Sequence, residues 1–131
     1  MMLAAFVSYI YDGNDFEAII ESAIITTLAG ASGVLIGGNS TKHFGTREGY
    51  LLVGLVWIVF SIFGMLPFRL SYYIPNIADA FFETMSGFTT TGATILTDIE
   101  ALPHGLLFWR SMLQWLGGMG IILFSLAIMP I

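Results

Sequence analysis

Residues 87–94 read GFTTTGAT, a run of small and hydroxyl-bearing side chains that suits neither a lipid-facing helix nor a soluble loop. The chemistry open to such a run is ligation of a partly dehydrated alkali cation. That task needs a ring of oxygens, and backbone carbonyls supply them without a fixed charge that would hold the ion too tightly. Thr90 and Thr91 offer carbonyl and hydroxyl oxygens together. Gly92 has no Cβ, so its carbonyl can turn toward an axis in a conformation other residues resist, and no side chain narrows the passage. Ala93 and Thr94 continue the same lining. Two readings of the pattern stand side by side: a pore lining made by Thr90, Thr91, Gly92, Ala93 and Thr94, or a capping turn before an extracellular loop.

A lining needs an element to deliver it. Residues 77–87, IADAFFETMSG, have apolar and aromatic positions suited to a helix. At about 1.5 Å per residue such a helix reaches only about 16 Å, so it can enter a bilayer and cannot cross it. Its C-terminal end near Gly87 carries a partial negative charge that favours a nearby cation. Extended backbone at membrane depth, as expected directly after it, is tolerated only where protein or a water-filled cavity surrounds it.

The rest of the chain fits a membrane setting. Of 131 residues, 56% are hydrophobic and only 10% charged, and the mean hydropathy is +0.86. Too few polar side chains remain to cover a soluble globule of this size. With no cysteine, disulfide frameworks and thiolate metal sites are excluded. A formal charge of -5 argues against nucleic acid as a partner, since phosphates call for clustered Lys and Arg. Residues 50–68 contain no charge over nineteen positions, about 28 Å of helix and thus a span. Residues 16–38 form a second candidate, with Glu17 and Glu21 near its start, and residues 105–131 a third, with Arg110 in its second turn. Residues 1–10 are apolar but too short to cross, and lack the basic start and small-residue cleavage site of a signal peptide. They read as the tail of a helix begun upstream or as an interfacial stub.

Charge fixes the orientation. Lys42 and Arg47 fall between the second and first of these spans, whereas the loop at 12–15 is acidic and Arg69 is the single base after residue 68 before the last helix. By the positive-inside rule Lys42 and Arg47 are cytoplasmic, and residues 71–103 are extracytoplasmic at both ends. Enzyme motifs fail on inspection. Gly33 and Gly38 have phosphate-loop spacing, but Asn39 stands where the lysine belongs and a helix precedes. His43 and His104 lie on opposite sides of the expected membrane and cannot share a metal. Asn39-Ser40-Thr41 matches a glycosylation acceptor on the wrong side.

The run GFTTTGAT at 87–94, followed by LPHGLLFWRSMLQWLGGMGIILFSLAIMP at 102–130, resembles the first pore repeat of the Trk/Ktr/HKT potassium transporters, of the bacterial TrkH type. The likeness covers nearly the whole chain. It implies an all-α integral membrane fold: a partial helix pair and cytoplasmic loop over 1–46, then a helix, pore helix, filter and helix repeat over 47–131. In that family four such repeats in one polypeptide surround a single potassium path. The filter glycine of the first repeat matches Gly92, and a serine there accompanies sodium transport in some plant relatives. The resemblance therefore implies passive potassium uptake, in a multi-pass protein of the cell (inner) membrane, with no organic cofactor. It further implies membrane lipid, the remaining repeats, a second copy of the subunit and a cytosolic nucleotide-binding regulatory ring as partners. The departures are equally plain. One repeat supplies one quarter of a filter, the first preliminary helix is nearly absent, and the gating loop and pore-facing base belong to later repeats. A piece of a longer protein is the simplest account, a short subunit assembling as four copies the alternative. A non-conducting membrane anchor or assembly subunit is the rival reading from another class.

Supporting positions follow. Glu83, inside the pore helix, either draws cations or holds backbone groups behind the filter; the structural role is favoured because a membrane-buried carboxylate finds a donor. Arg110 is that donor or a side chain reaching to the interface. Ala29, Gly33 and Gly37 form a ladder of small residues, read as a face for helix packing within the same protein. Gly117, Gly118 and Gly120 give room for the pore helix and filter. Trp57, Trp109 and Trp115 read mostly as lipid-facing or interfacial, and Tyr72 and Tyr73 as an interfacial belt.

Overall fold

The computed structural model describes residues 1–37 and 46–128, and the described residues contain helices and no strand. In chain order these are α1 (Met2–Ile10), α2 (Phe16–Gly37), α3 (Thr46–Gly64), α4 (Leu66–Leu70), α5 (Ile77–Phe88) and α6 (His104–Ile128). Lys42, His43 and the triplet Asn39-Ser40-Thr41 lie outside the described residues.

Among the described residues, Phe16–Gly37 and Leu51–Leu70 are long and apolar enough to cross a membrane. Their outward side chains are those of a lipid-solvated or protein-covered surface, with Leu28, Val34, Leu35, Ile36, Leu51 and Leu55 exposed. In water so continuous an apolar surface would associate.

Two elements differ from expectation. The uncharged run over 50–68 predicts one helix; instead α3 starts earlier, at Thr46, and stops at Gly64, and α4 restarts with Pro67 in its first turn. Proline has no N–H and its ring crowds the carbonyl four residues back, so the helix breaks at Met65. Arg47, expected in the loop, is therefore in the first turn of α3. Residues 1–10, expected as a helix tail or an interfacial stub, form α1, which packs between α2 and α6 with Ala4, Ala5 and Ser8 buried.

The core lies where α1, the start of α2, α4, α5 and α6 meet. Ile19, Phe68, Ala80, Leu106 and Leu113 are buried there, with Phe88 and Trp109 at its edge toward α3. Trp109 departs from the lipid-facing reading: it is 6% exposed, and its indole N–H donates to the Gly64 carbonyl at 3.0 Å. A buried indole needs an acceptor, and the break after Gly64 leaves that carbonyl without its helical partner. Trp115 is exposed, as are Tyr72 and Tyr73.

Candidate functional site

The half-length helix α5 is set by its ends. Asn76 is extended, and its side-chain oxygen accepts from the Ala78 amide at 3.0 Å, the usual N-cap arrangement. Asp79 in the first turn suits the positive end of the helix dipole. At the other end, the Thr90 amide donates to the Gly87 carbonyl and the Thr91 amide to the Ser86 carbonyl, each at 3.0 Å. Those two bonds define a Schellman cap, whose left-handed residue is usually glycine. Here that residue is Thr90, with φ of 56°. A β-branched residue held left-handed stores about 1–3 kcal/mol and persists only where its surroundings impose it.

The chain then continues without regular secondary structure through Gly92, whose φ is also positive at 75°. One side of this segment is fully engaged. Ser86 Oγ donates to the Ala93 carbonyl at 2.6 Å, and Thr89 Oγ1 lies 2.9 Å from Thr91 Oγ1. The Thr94 hydroxyl donates to the Glu83 carboxylate at 2.9 Å, and the Ile95 amide donates to the same carboxylate at 3.1 Å. Glu83 is 2% exposed, and its other oxygen accepts from Arg110 Nε at 2.7 Å. One buried carboxylate thus joins α5, the segment after Gly92 and α6. The opposite side is bare: among the described residues, the carbonyls of Thr90, Thr91 and Gly92 accept no hydrogen bond, and a Cβ built on Gly92 meets nothing within 4 Å.

Glycines let the helices close around this unit. A Cβ on Gly117 of α6 would run into the Phe88 carbonyl oxygen, with Phe88 Cα 2.8 Å away. On Gly87 it would stand 3.2 Å from Leu113 Cβ, and on Gly64 it would stand 2.7 Å from Thr84 Cγ2. Gly118 and Gly120 have ordinary clearances, at 3.8 Å to Thr90 Cγ2 and 3.4 Å to Trp57 respectively. The three α6 glycines are therefore unequal, and Gly117 alone is a backbone-on-backbone contact. The α2 ladder behaves differently: nothing lies within 4 Å of a Cβ on Gly33 or Gly37, so the described residues do not cover it.

Of the residues singled out by sequence, the structure brings together Glu83, Thr94 and Arg110 directly, places Gly87 in the turn beneath Thr90, and puts Thr90, Thr91, Gly92 and Ala93 in one exposed stretch. Two contributors escaped notice. Ser86 carries no signal beyond its adjacency to Gly87. Asp15 belongs to the acidic loop at 12–15, yet it is fully buried and accepts from the Leu106 amide at 2.9 Å. Among the described residues His104 belongs to no group that could hold a metal; its ring stacks on Tyr11 with centroids 4.4 Å apart.

Two apolar spans, a half-length helix ending in a strained turn, an exposed irregular segment and a further long helix define an all-α integral membrane protein. A family model described as a cation transport protein, TrkH, matches residues 16–131. The chain belongs to the TrkH cation transport family. It is 44% identical over 136 residues to the Trk system potassium uptake protein TrkH of Escherichia coli (strain K12), covering all of this chain and 27% of that protein. With the protein of the same name from Halomonas elongata it shares 40% over 125 residues, covering 95% of this chain and 26% of the relative. An uncharacterised cation transporter of Methanocaldococcus jannaschii is 33% identical over 124 residues, again 95% of this chain and 26% of the relative. The chain thus spans about a quarter of the length of the curated relatives it matches. These relatives are named as transporters, not enzymes. No solved structure matches the chain.

Proposed function

We propose that this chain carries one quarter of a potassium-selective path for uptake across the cell membrane, with its carbonyls at Thr90, Thr91 and Gly92 as ion ligands. The observation that carries the reading is the uneven bonding of the segment: Ala93, Thr94 and Ile95 are bonded to Ser86 and Glu83 of α5, while three consecutive carbonyls before them are left without a hydrogen bond among the described residues. Unpaired backbone carbonyls at membrane depth are costly unless they face water or an ion. Ala93 and Thr94 line the path with the Ala93 carbonyl and the Thr94 hydroxyl committed to Ser86 and Glu83. The relatives' names as potassium uptake proteins support potassium as the cargo.

The proposed movement is passive and involves no covalent chemistry. A potassium ion sheds water, is held by carbonyls at the negative end of α5, and moves down the membrane potential, worth about 2.3 kcal/mol per charge per 100 mV. Residues 1–46 then form the preceding helix pair with its loop, and residues 47–131 the repeat. Lys42 and Arg47 face the cytoplasm, and the filter mouth faces outward. The rest of the filter comes from the remaining repeats of the complete transporter. A second copy of the subunit and a cytosolic nucleotide-binding ring are the proposed partners, in the cell (inner) membrane.

The test is Gly92→Ser and Gly92→Asp in the complete transporter, scored by potassium uptake and by competition with sodium. The reading predicts a sharp fall in potassium preference, more severe for aspartate, whose fixed charge holds the cation. Unchanged flux and selectivity in both variants would instead fit an anchor or assembly subunit.

A further inference from the structure

Among the described residues two carboxylates are buried, Glu83 beside the filter segment and Asp15 far from it in sequence. Asp15 precedes α2, yet its side chain serves α6. One oxygen accepts from the Ser8 hydroxyl at 2.5 Å and the other from the Leu106 amide at 2.9 Å, across 91 positions of chain. The Leu106 amide is one of the first donors of α6 that have no partner inside the helix. The residue just before α6, where a cap would ordinarily sit, is Pro103, which has no side-chain acceptor. The cap is delivered instead from the α1–α2 loop.

The fit around Asp15 is close. A Cβ on Gly13 would collide with one of its carboxylate oxygens, and a Cβ on Gly105 with the other, as well as standing 2.7 Å from Ser8 Cβ. Tyr11 stacks on His104 just beside it. Arg110 lies one helical turn beyond Leu106, on the same face of α6. It bonds Glu83, which holds Thr94 and Ile95. An unbroken sequence of bonded groups therefore leads from the α1–α2 loop to the segment bearing Gly92.

We infer that Asp15 is a positioning residue for ion selection: by fixing the start of α6 it sets, through Arg110 and Glu83, the geometry of the segment that distinguishes potassium from sodium. The inference rests on the filter reading above. It makes the helix pair that precedes the repeat a part of the selectivity apparatus rather than a membrane anchor for it.

The experiment uses the complete transporter in its membrane, with Asp15→Ala, Asp15→Asn, Gly105→Ala and Ser8→Ala, and Gly92→Ser as reference. Membrane abundance, the KM for potassium and inhibition of uptake by sodium are measured together. In Asp15→Ala and Gly105→Ala the preference for potassium over sodium should fall about five-fold, the equivalent of about 1 kcal/mol. Asp15→Asn should stay near the parent, because its amide oxygen serves Leu106 and the Ser8 hydroxyl can accept from its NH2. Ser8→Ala, which removes one hydroxyl and keeps the fold, should show a fall of about two-fold. Unchanged ion preference in Asp15→Ala and Ser8→Ala, with Gly92→Ser altering it, would overturn the inference and leave the filter reading intact. Should Asp15→Ala not reach the membrane, an unchanged preference in Ser8→Ala overturns it alone. If Gly92→Ser leaves preference unchanged as well, the filter reading itself fails and the inference falls with it.

Discussion

The two sides of the segment that follows α5 are built on opposite principles. Toward α5, Ser86 and Glu83 hold Ala93, Thr94 and Ile95 with hydrogen bonds of 2.6–3.1 Å, and Arg110 of α6 holds Glu83. On the other side, among the described residues, the carbonyls of Thr90, Thr91 and Gly92 accept no hydrogen bond, and a Cβ on Gly92 would meet nothing within 4 Å. A segment bonded on both sides would be a structural turn, and one bonded on neither would not keep a shape. Rigidity behind and unmet oxygens in front are the combination that selective, reversible ion ligation requires. The difference also explains why strain at Thr90 is tolerated, since bonds on the held side over-determine its conformation.

The largest way to break the contrast is to cut the held side at its centre. Glu83→Gln leaves Arg110 without its carboxylate, and removal of one partner from a buried pair costs about 3–5 kcal/mol. Thermal unfolding of the complete protein in detergent should show that loss, and Glu83→Gln combined with Arg110→Met should recover part of it. Next comes Gly117→Ala. Its methyl meets the Phe88 carbonyl, and overpacking of this kind costs about 1–3 kcal/mol. Gly118→Ala, with its nearest neighbour at 3.8 Å, should be close to neutral in the same assay. Ser86→Ala is smaller again, about 1 kcal/mol, and should loosen Ala93 so that its amide exchanges hydrogen faster. Smallest is Thr90→Gly, which relieves the left-handed strain and should fall within about 1 kcal/mol of the parent, on the stable side. A large destabilisation there would mean that the threonine hydroxyl, not the backbone turn, shapes the site.

These effects map onto what the sequence could disclose. Local features were readable: the eleven residues before Phe88 are too few to span and have the pattern of a helix, and a Gly among threonines marks a backbone that needs freedom. The need of a membrane-buried carboxylate for a donor also makes Arg110 a candidate partner of Glu83, beside the reading in which Arg110 reaches to the interface. Other features depend on non-local geometry. The left-handed position at the end of α5 falls on Thr90, whereas glycine preference points to Gly92 alone; only the two bonds to Ser86 and Gly87 reveal it. Asp15 looks like any acidic loop residue until its Leu106 partner is seen. The preference of aromatic side chains for the interface points Trp109 toward lipid or the interface, whereas the Gly64 carbonyl left free at the α3 break draws its indole inward. That break did have a signal, Pro67 inside an uncharged run, which a count of apolar residues passes over.

The decisive measurement is the carbon-13 carbonyl chemical shift of residues 90–93 in the complete transporter, labelled and embedded in lipid, followed as potassium replaces a large impermeant cation. Carbonyls of Thr90, Thr91 and Gly92 that ligate the ion should shift with potassium, while that of Ala93, held by Ser86 Oγ at 2.6 Å, should not. Shifts absent from all four, or confined to Ala93, would contradict an ion path along the unbonded side.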